Sequence, residues 1–173
     1  LKKVLALMLA LAMALSVMAG AFTVPELSEE AKAECETLTA AQKDAFFVIS
    51  ELGIAKGYTD GSFRPESNLT RAEFATMVYR AKTGDVNDTN TLFSSASVAM
   101  FKDSIDAWAV PYIAYAYSAG IVVGYPDGTF KPNQAVTGLE AAKMLLTALG
   151  YDAEIEGLIG PTFFTNTIKL GTA

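Results

Sequence analysis

Histidine is absent from this chain of 173 residues, and cysteine occurs once, at Cys35. The first absence removes the commonest metal ligand and the side chain most used for proton transfer near neutral pH. The second excludes an internal disulfide and a multi-thiolate zinc site, and Cys35 reads as a tolerated thiol. Positive charge is scarce too: 13 Lys and Arg stand against 19 Asp and Glu, a formal net charge of −6. Nucleic acid or an anionic membrane would need a basic footprint that this chain lacks. There is no Gly-x-Ser-x-Gly elbow, no P-loop and no zinc-ligand spacing. No catalytic residue, cofactor or metal is therefore expected.

What the chain does have begins with a leader. Lys2 and Lys3 precede an apolar run, Val4–Val17, broken only by Ser16, and Ala19-Gly20-Ala21 follows. This pattern predicts an export signal over 1–21, with an uncleaved anchor as the alternative. Cys35 follows Lys32-Ala33-Glu34, which disfavours a lipoprotein. Without the two leader lysines the formal charge moves from −6 to −8.

The strongest signal is a duplication. Residues 52–81 and 119–148 align without a gap at an offset of 67. Gly57-Tyr58 matches Gly124-Tyr125, and Asp60-Gly61 matches Asp127-Gly128. Phe63, Pro65, Thr70, Glu73 and Met77 match Phe130, Pro132, Thr137, Glu140 and Met144. A supersecondary unit used twice is the reading such a repeat carries.

Each copy reads as helix, long loop, helix. Leu38, Ala41, Ala45, Val48 or Ile49, and Leu52 take helical spacing, and Gly53 stands where a left-handed residue would end the helix. In the second copy the stripe is Trp108, Tyr112, Tyr115 and Ala119, closed by Gly120, with Pro111 in the first turn. The Asp-Gly dipeptides mark turns, and Phe63 and Phe130 are the expected plugs into the core. These loops lack the alternating oxygen ligands of a calcium loop. Thr70-Arg71-Ala72-Glu73 and Thr137-Gly138-Leu139-Glu140 fit capping boxes, so Glu73 and Glu140 read as caps rather than catalytic carboxylates.

The resulting partition is a polar lead-in over 22–37, a first repeat over 38–82, a linker over 83–100 and a second repeat over 101–150. Residues 151–173 read as the start of an incomplete third repeat, with Phe163 or Phe164 and Ile168 on its first helix.

The second copy reads Phe101-Lys102-Asp103, Trp108-Ala109, Ile113, Gly120-Ile121-Val122, Gly124-Tyr125-Pro126-Asp127-Gly128-Thr129-Phe130, Pro132 and Val136-Thr137. This succession resembles the S-layer homology (SLH) domain of bacterial surface proteins, and the resemblance covers about 38–150. It implies an all-α fold in which helical repeats assemble with pseudo-threefold arrangement. It also implies a secreted protein at the cell wall, held noncovalently by a secondary cell wall polysaccharide, pyruvylated, in grooves between repeats. On that resemblance Arg71 supplies a groove cation suited to a ketal-linked carboxylate, Asp103 accepts from sugar hydroxyls and Trp108 packs on a sugar ring. Taken alone, Arg71 also reads as a solvated charge whose loss would spare folding, and Trp108 as a core anchor. The copies differ at these positions: Gly138 replaces Arg71, while Ala41 and Glu36 fall where Trp108 and Asp103 stand. The alternative function is a structural module that self-associates in a surface layer without glycan.

Overall fold

The computed structural model describes residues 28–89 and 93–172, and the expected leader over 1–21 lies outside them. Among the described residues the chain is helical, with six α-helices and no named strand. They are α1 (Glu29–Cys35), α2 (Ala40–Glu51), α3 (Arg71–Thr83), α4 (Val110–Ser118), α5 (Gly138–Ala148) and α6 (Phe163–Gly171). Short 3-10 turns occupy Ser95–Val98 and Gly160–Thr162. The chain divides into two compact units between Asn68 and Leu69, inside the first sequence copy.

In the first unit the lead-in is more than a polar tail. Ser28 caps α1 by accepting from the Ala31 amide at 3.0 Å, and its hydroxyl donates to the Gly61 carbonyl at 2.5 Å. α1 thereby joins the loop of the first copy. Cys35, Leu38 and Phe46 form a small core against which Phe63 packs, with the Phe46 and Phe63 rings edge-on at 4.3 Å. Burial raises the pKa of the Cys35 thiol, with the neighbouring Glu34 adding to the effect. Gly53, at φ 65°, ends α2, and the Ile54 amide reaches back to Ile49 at 2.9 Å. Gly120 and Ile121 repeat this ending on α4. The left-handed residue lets the chain satisfy a terminal carbonyl that the helix cannot.

In the second unit α3 packs on α4 and α5, and α5 packs on α6. Phe74, Val78, Ile113, Ile121, Phe130, Met144, Leu145 and Leu158 fill the core. Both expected capping boxes are present: Glu73 accepts from the Thr70 amide at 2.7 Å, and Glu140 from the Thr137 amide at 2.9 Å. The apolar stripe of α4 differs from expectation. Trp108 lies before the helix and is half-exposed, Ala119 is exposed, and the buried residues are Val110, Tyr112, Ile113, Ala114 and Ala116. Pro111 explains the offset, because a proline favours the first turn and so starts α4 beyond Trp108.

The segment over 83–100 carries structure of its own. Arg80 grips Asp88 through two bonds, at 2.8 and 2.9 Å, and the Tyr79 hydroxyl donates to Asp85 at 2.6 Å. Val98 is buried, and the 3-10 turn around it packs on α4. Beyond α5, Leu158 is buried, whereas Ile155, Phe164 and Ile168 are exposed.

Candidate functional site

The two loops are built by the same local chemistry. Tyr58 donates its amide to Ser62 at 2.8 Å, and Tyr125 to Thr129 at 2.8 Å. Inside the first turn Asp60 accepts from the Ser62 amide and hydroxyl at 3.0 and 2.6 Å. Inside the second, Asp127 accepts from the Thr129 amide and hydroxyl at 2.9 and 2.6 Å. These bonds hold both carboxylates below the usual range, Asp60 at about 2. Gly124, at φ 79°, cannot be replaced without cost: a Cβ there would lie 2.7 Å from Phe101 and 2.9 Å from the Thr129 carbonyl. The acidic turns are thus closed on themselves, and among the described residues no group of three candidate metal ligands exists.

One step further along, each loop takes a strained residue. Arg64 at φ 54° and Lys131 at φ 60° occupy the left-handed region, which costs a side-chain-bearing residue about 1–3 kcal/mol. Each is held by a carboxylate from the segment ahead of its copy's first helix. Asp103 accepts from the amides of Phe130 and Lys131, at 2.9 and 2.5 Å. Glu34 accepts from Phe63 and Arg64, at 2.6 and 2.8 Å. The counterpart of Asp103 is therefore Glu34, not Glu36. Each oxygen of the Asp103 carboxylate accepts one of these backbone amides, Oδ1 from Phe130 and Oδ2 from Lys131.

Arg71 stands where α3 begins, and the structure buries it: only 5% of the residue is exposed. Its Nε donates to the Phe130 carbonyl at 2.8 Å, and Nη1 lies 3.2 Å from Glu140. The guanidinium also covers the rings of Tyr125 and Phe130, 4.6 and 4.8 Å from their centroids. The amides that open α3 are equally committed, since Arg71 donates to Gln134 at 2.9 Å and Ala72 to Pro132 at 3.0 Å. Arg71 is therefore a latch between α3 and the second loop, not a solvated charge whose loss would spare folding. Among the described residues Nη2 has no hydrogen-bond partner.

Glu140 joins two roles. One carboxylate oxygen closes the capping box, and the other accepts from the Tyr125 hydroxyl and faces Arg71. Burial would raise its pKa, but the bonds from Tyr125 and Thr137 and the charge of Arg71 outweigh it and lower the value. Tyr125 is pushed up to about 12, by burial first and by its bond to Glu140 second. Lys131 lies 4.2 Å from the Tyr125 ring centroid, so two cations meet one aromatic ring in an acidic chain.

Of the three residues expected to bind, Arg71 and Asp103 come together, both bonded to Phe130, through its carbonyl and its amide respectively. Trp108 stands apart from this network, 50% exposed. Sequence reasoning missed Tyr125 and the second role of Glu140. The duplicated Gly-Tyr pair was their available signal.

Residues 49–75 and 101–142 match the family model described as the S-layer homology domain. The chain is similar to the middle cell wall protein of Brevibacillus brevis, at 33% identity over 99% of this chain and 16% of that protein. It is similar to the surface layer protein of Brevibacillus choshinensis, at 32% identity over 91% of this chain and 13% of that protein. A third relative is the cellulosome-anchoring protein of Acetivibrio thermocellus, at 32% identity over 58% of this chain and 22% of that protein. The chain spans less than a quarter of each of these relatives.

Proposed function

Because this chain belongs to the S-layer homology domain family through residues 49–75 and 101–142, we propose that it is a noncatalytic cell-surface module that anchors to the wall. Its ligand in this reading is a carboxylate-bearing secondary cell wall polysaccharide, pyruvylated, bound noncovalently. The observation that carries it is the cationic cluster on Tyr125: Arg71 and Lys131 both cover that ring in a chain of net charge −6. A polymer carboxylate would take the open Nη2 of Arg71 in a charge-assisted bond. Trp108, half-exposed, offers an aromatic face to a sugar ring, and Asp103 acts at one remove by fixing the loop that presents Phe130.

The test is pelleting of the purified protein with sacculi before and after extraction of the accessory polysaccharide. Binding lost on extraction supports the reading, and equal pelleting with both preparations overturns it. Oligomers that grow with concentration in the absence of any polymer would favour the self-assembly alternative.

A further inference from the structure

Lys143 is the one cation around Glu140 that the bonding network leaves over. It follows Glu140 by three residues on α5, so the two side chains leave the same face of the helix. Lys143 is half-buried, and among the described residues its ammonium has no hydrogen-bond or ion-pair partner. Burial, and after it the positive charge of Arg71, hold its pKa below the ordinary lysine value. The matching residue of the first copy is Thr76, which is buried and donates to the Ala72 carbonyl at 3.0 Å. An unpaired lysine at this position is thus a property of the second copy alone.

The charges near α5 do not balance. Glu140 already receives Arg71, Tyr125 and the cap of its own helix. Two cations in a partly desolvated place repel, and a second anion between them would relieve both. Nothing on α5 supplies one: the helix carries a single carboxylate, Glu140.

We propose that Lys143 is the second cation of an anion site shared with Arg71, and that the site takes a carboxylate of the bound polymer. The polymer part of this statement rests on the wall-anchoring reading; the anion site does not. The variants are Lys143→Met, which keeps length and helix propensity without charge, and Lys143→Arg, which keeps the charge. Calorimetric titration with extracted wall polysaccharide should show affinity lower by about tenfold for Lys143→Met and by no more than about threefold for Lys143→Arg. Lys143→Met should melt at or above the parent temperature, because an unpaired cation leaves a half-buried position. An affinity equal to the parent's overturns the assignment.

A second arm uses sodium acetate against sodium chloride at equal ionic strength. Excess acetate should raise the thermal midpoint of the parent and leave that of Lys143→Met unmoved. If the parent fails to bind polymer yet shows this difference, the anchoring reading falls and the anion site stands. If acetate moves both proteins alike, or neither, the site itself is refuted.

Discussion

Replacing Arg71 by alanine should unfold the second unit more easily, well before any question of ligand arises. The side chain gives one bond to the Phe130 carbonyl, one ion pair to Glu140 and cover for two aromatic rings, and its side chain is 7% exposed against 17% for Glu140. Solvent screening is slight at such burial. Removing one partner of a buried pair strands the other, at about 3–5 kcal/mol. A domain of this size has roughly 5–15 kcal/mol in all, so the variant would lose a large share of its stability. The thermal midpoint should drop by more than about 10 °C, taking ~4 °C per kcal/mol. Urea unfolding of the parent, Arg71→Ala, Glu140→Gln and the double variant would give the coupling between the two sites, expected at about 1–3 kcal/mol. A loss below ~1 kcal/mol for Arg71→Ala, with no coupling, would refute the latch. Binding assays on this variant must be run where it remains folded, since unfolding alone would mimic a lost contact.

Glu140 makes acid stability testable. Its pKa is lowered in the folded state, so its contribution is complete above the ordinary glutamate value of 4.5 and is lost as pH falls through the folded value. Urea midpoints measured from pH 6 down to pH 3 should fall less steeply for Glu140→Gln than for the parent; parallel curves would contradict the assignment. Asp103→Ala and Glu34→Ala should each cost about 2–3 kcal/mol, for each leaves two loop amides without their carboxylate. Glu36→Ala, on an exposed residue, should change the urea midpoint little, and equal losses for Glu34→Ala and Glu36→Ala would undo the pairing. Ser62→Ala should return the Asp60 carboxyl from about 2 toward its ordinary 3.8 in an NMR titration, while an unmoved value would make Arg64 its main partner.

What the sequence displayed well was chemistry that closes over a few residues. Capping boxes, the glycine endings of α2 and α4 and the Asp-Gly turns each depend on neighbours within about five positions, and each formed as read. Two misreadings, at Glu34 and at Arg71, share one cause, which is dependence on distant partners. Glu34 braces a loop 29 residues away, and counting by the repeat offset pointed to Glu36 instead. The longer glutamate side chain, leaving a helix that the second copy lacks, reaches the amides that Asp103 reaches from a turn. Arg71 read as solvated because its burial is made by Phe130, 59 residues on.

That same distance explains why the unit of repetition differs from the unit of packing. The opening amides of α3, which its own helix cannot satisfy, are taken by carbonyls of the second loop, and Leu69 and Val136 add a further backbone bond at 2.9 Å. A helix encoded in the first copy is therefore finished by a loop encoded in the second, and the boundary at Asn68 and Leu69 falls between the two halves of one repeat. Arg71 fastens this junction from the side-chain level. The same position in the second copy is Gly138, exposed at the start of α5, which can make no such latch. The cation left near α5 is Lys143, one turn beyond Glu140 and without a protein partner among the described residues. Sequence asymmetry between the copies thus becomes a difference in kind: one helix start is locked by arginine, and the other sits beside an unneutralised charge.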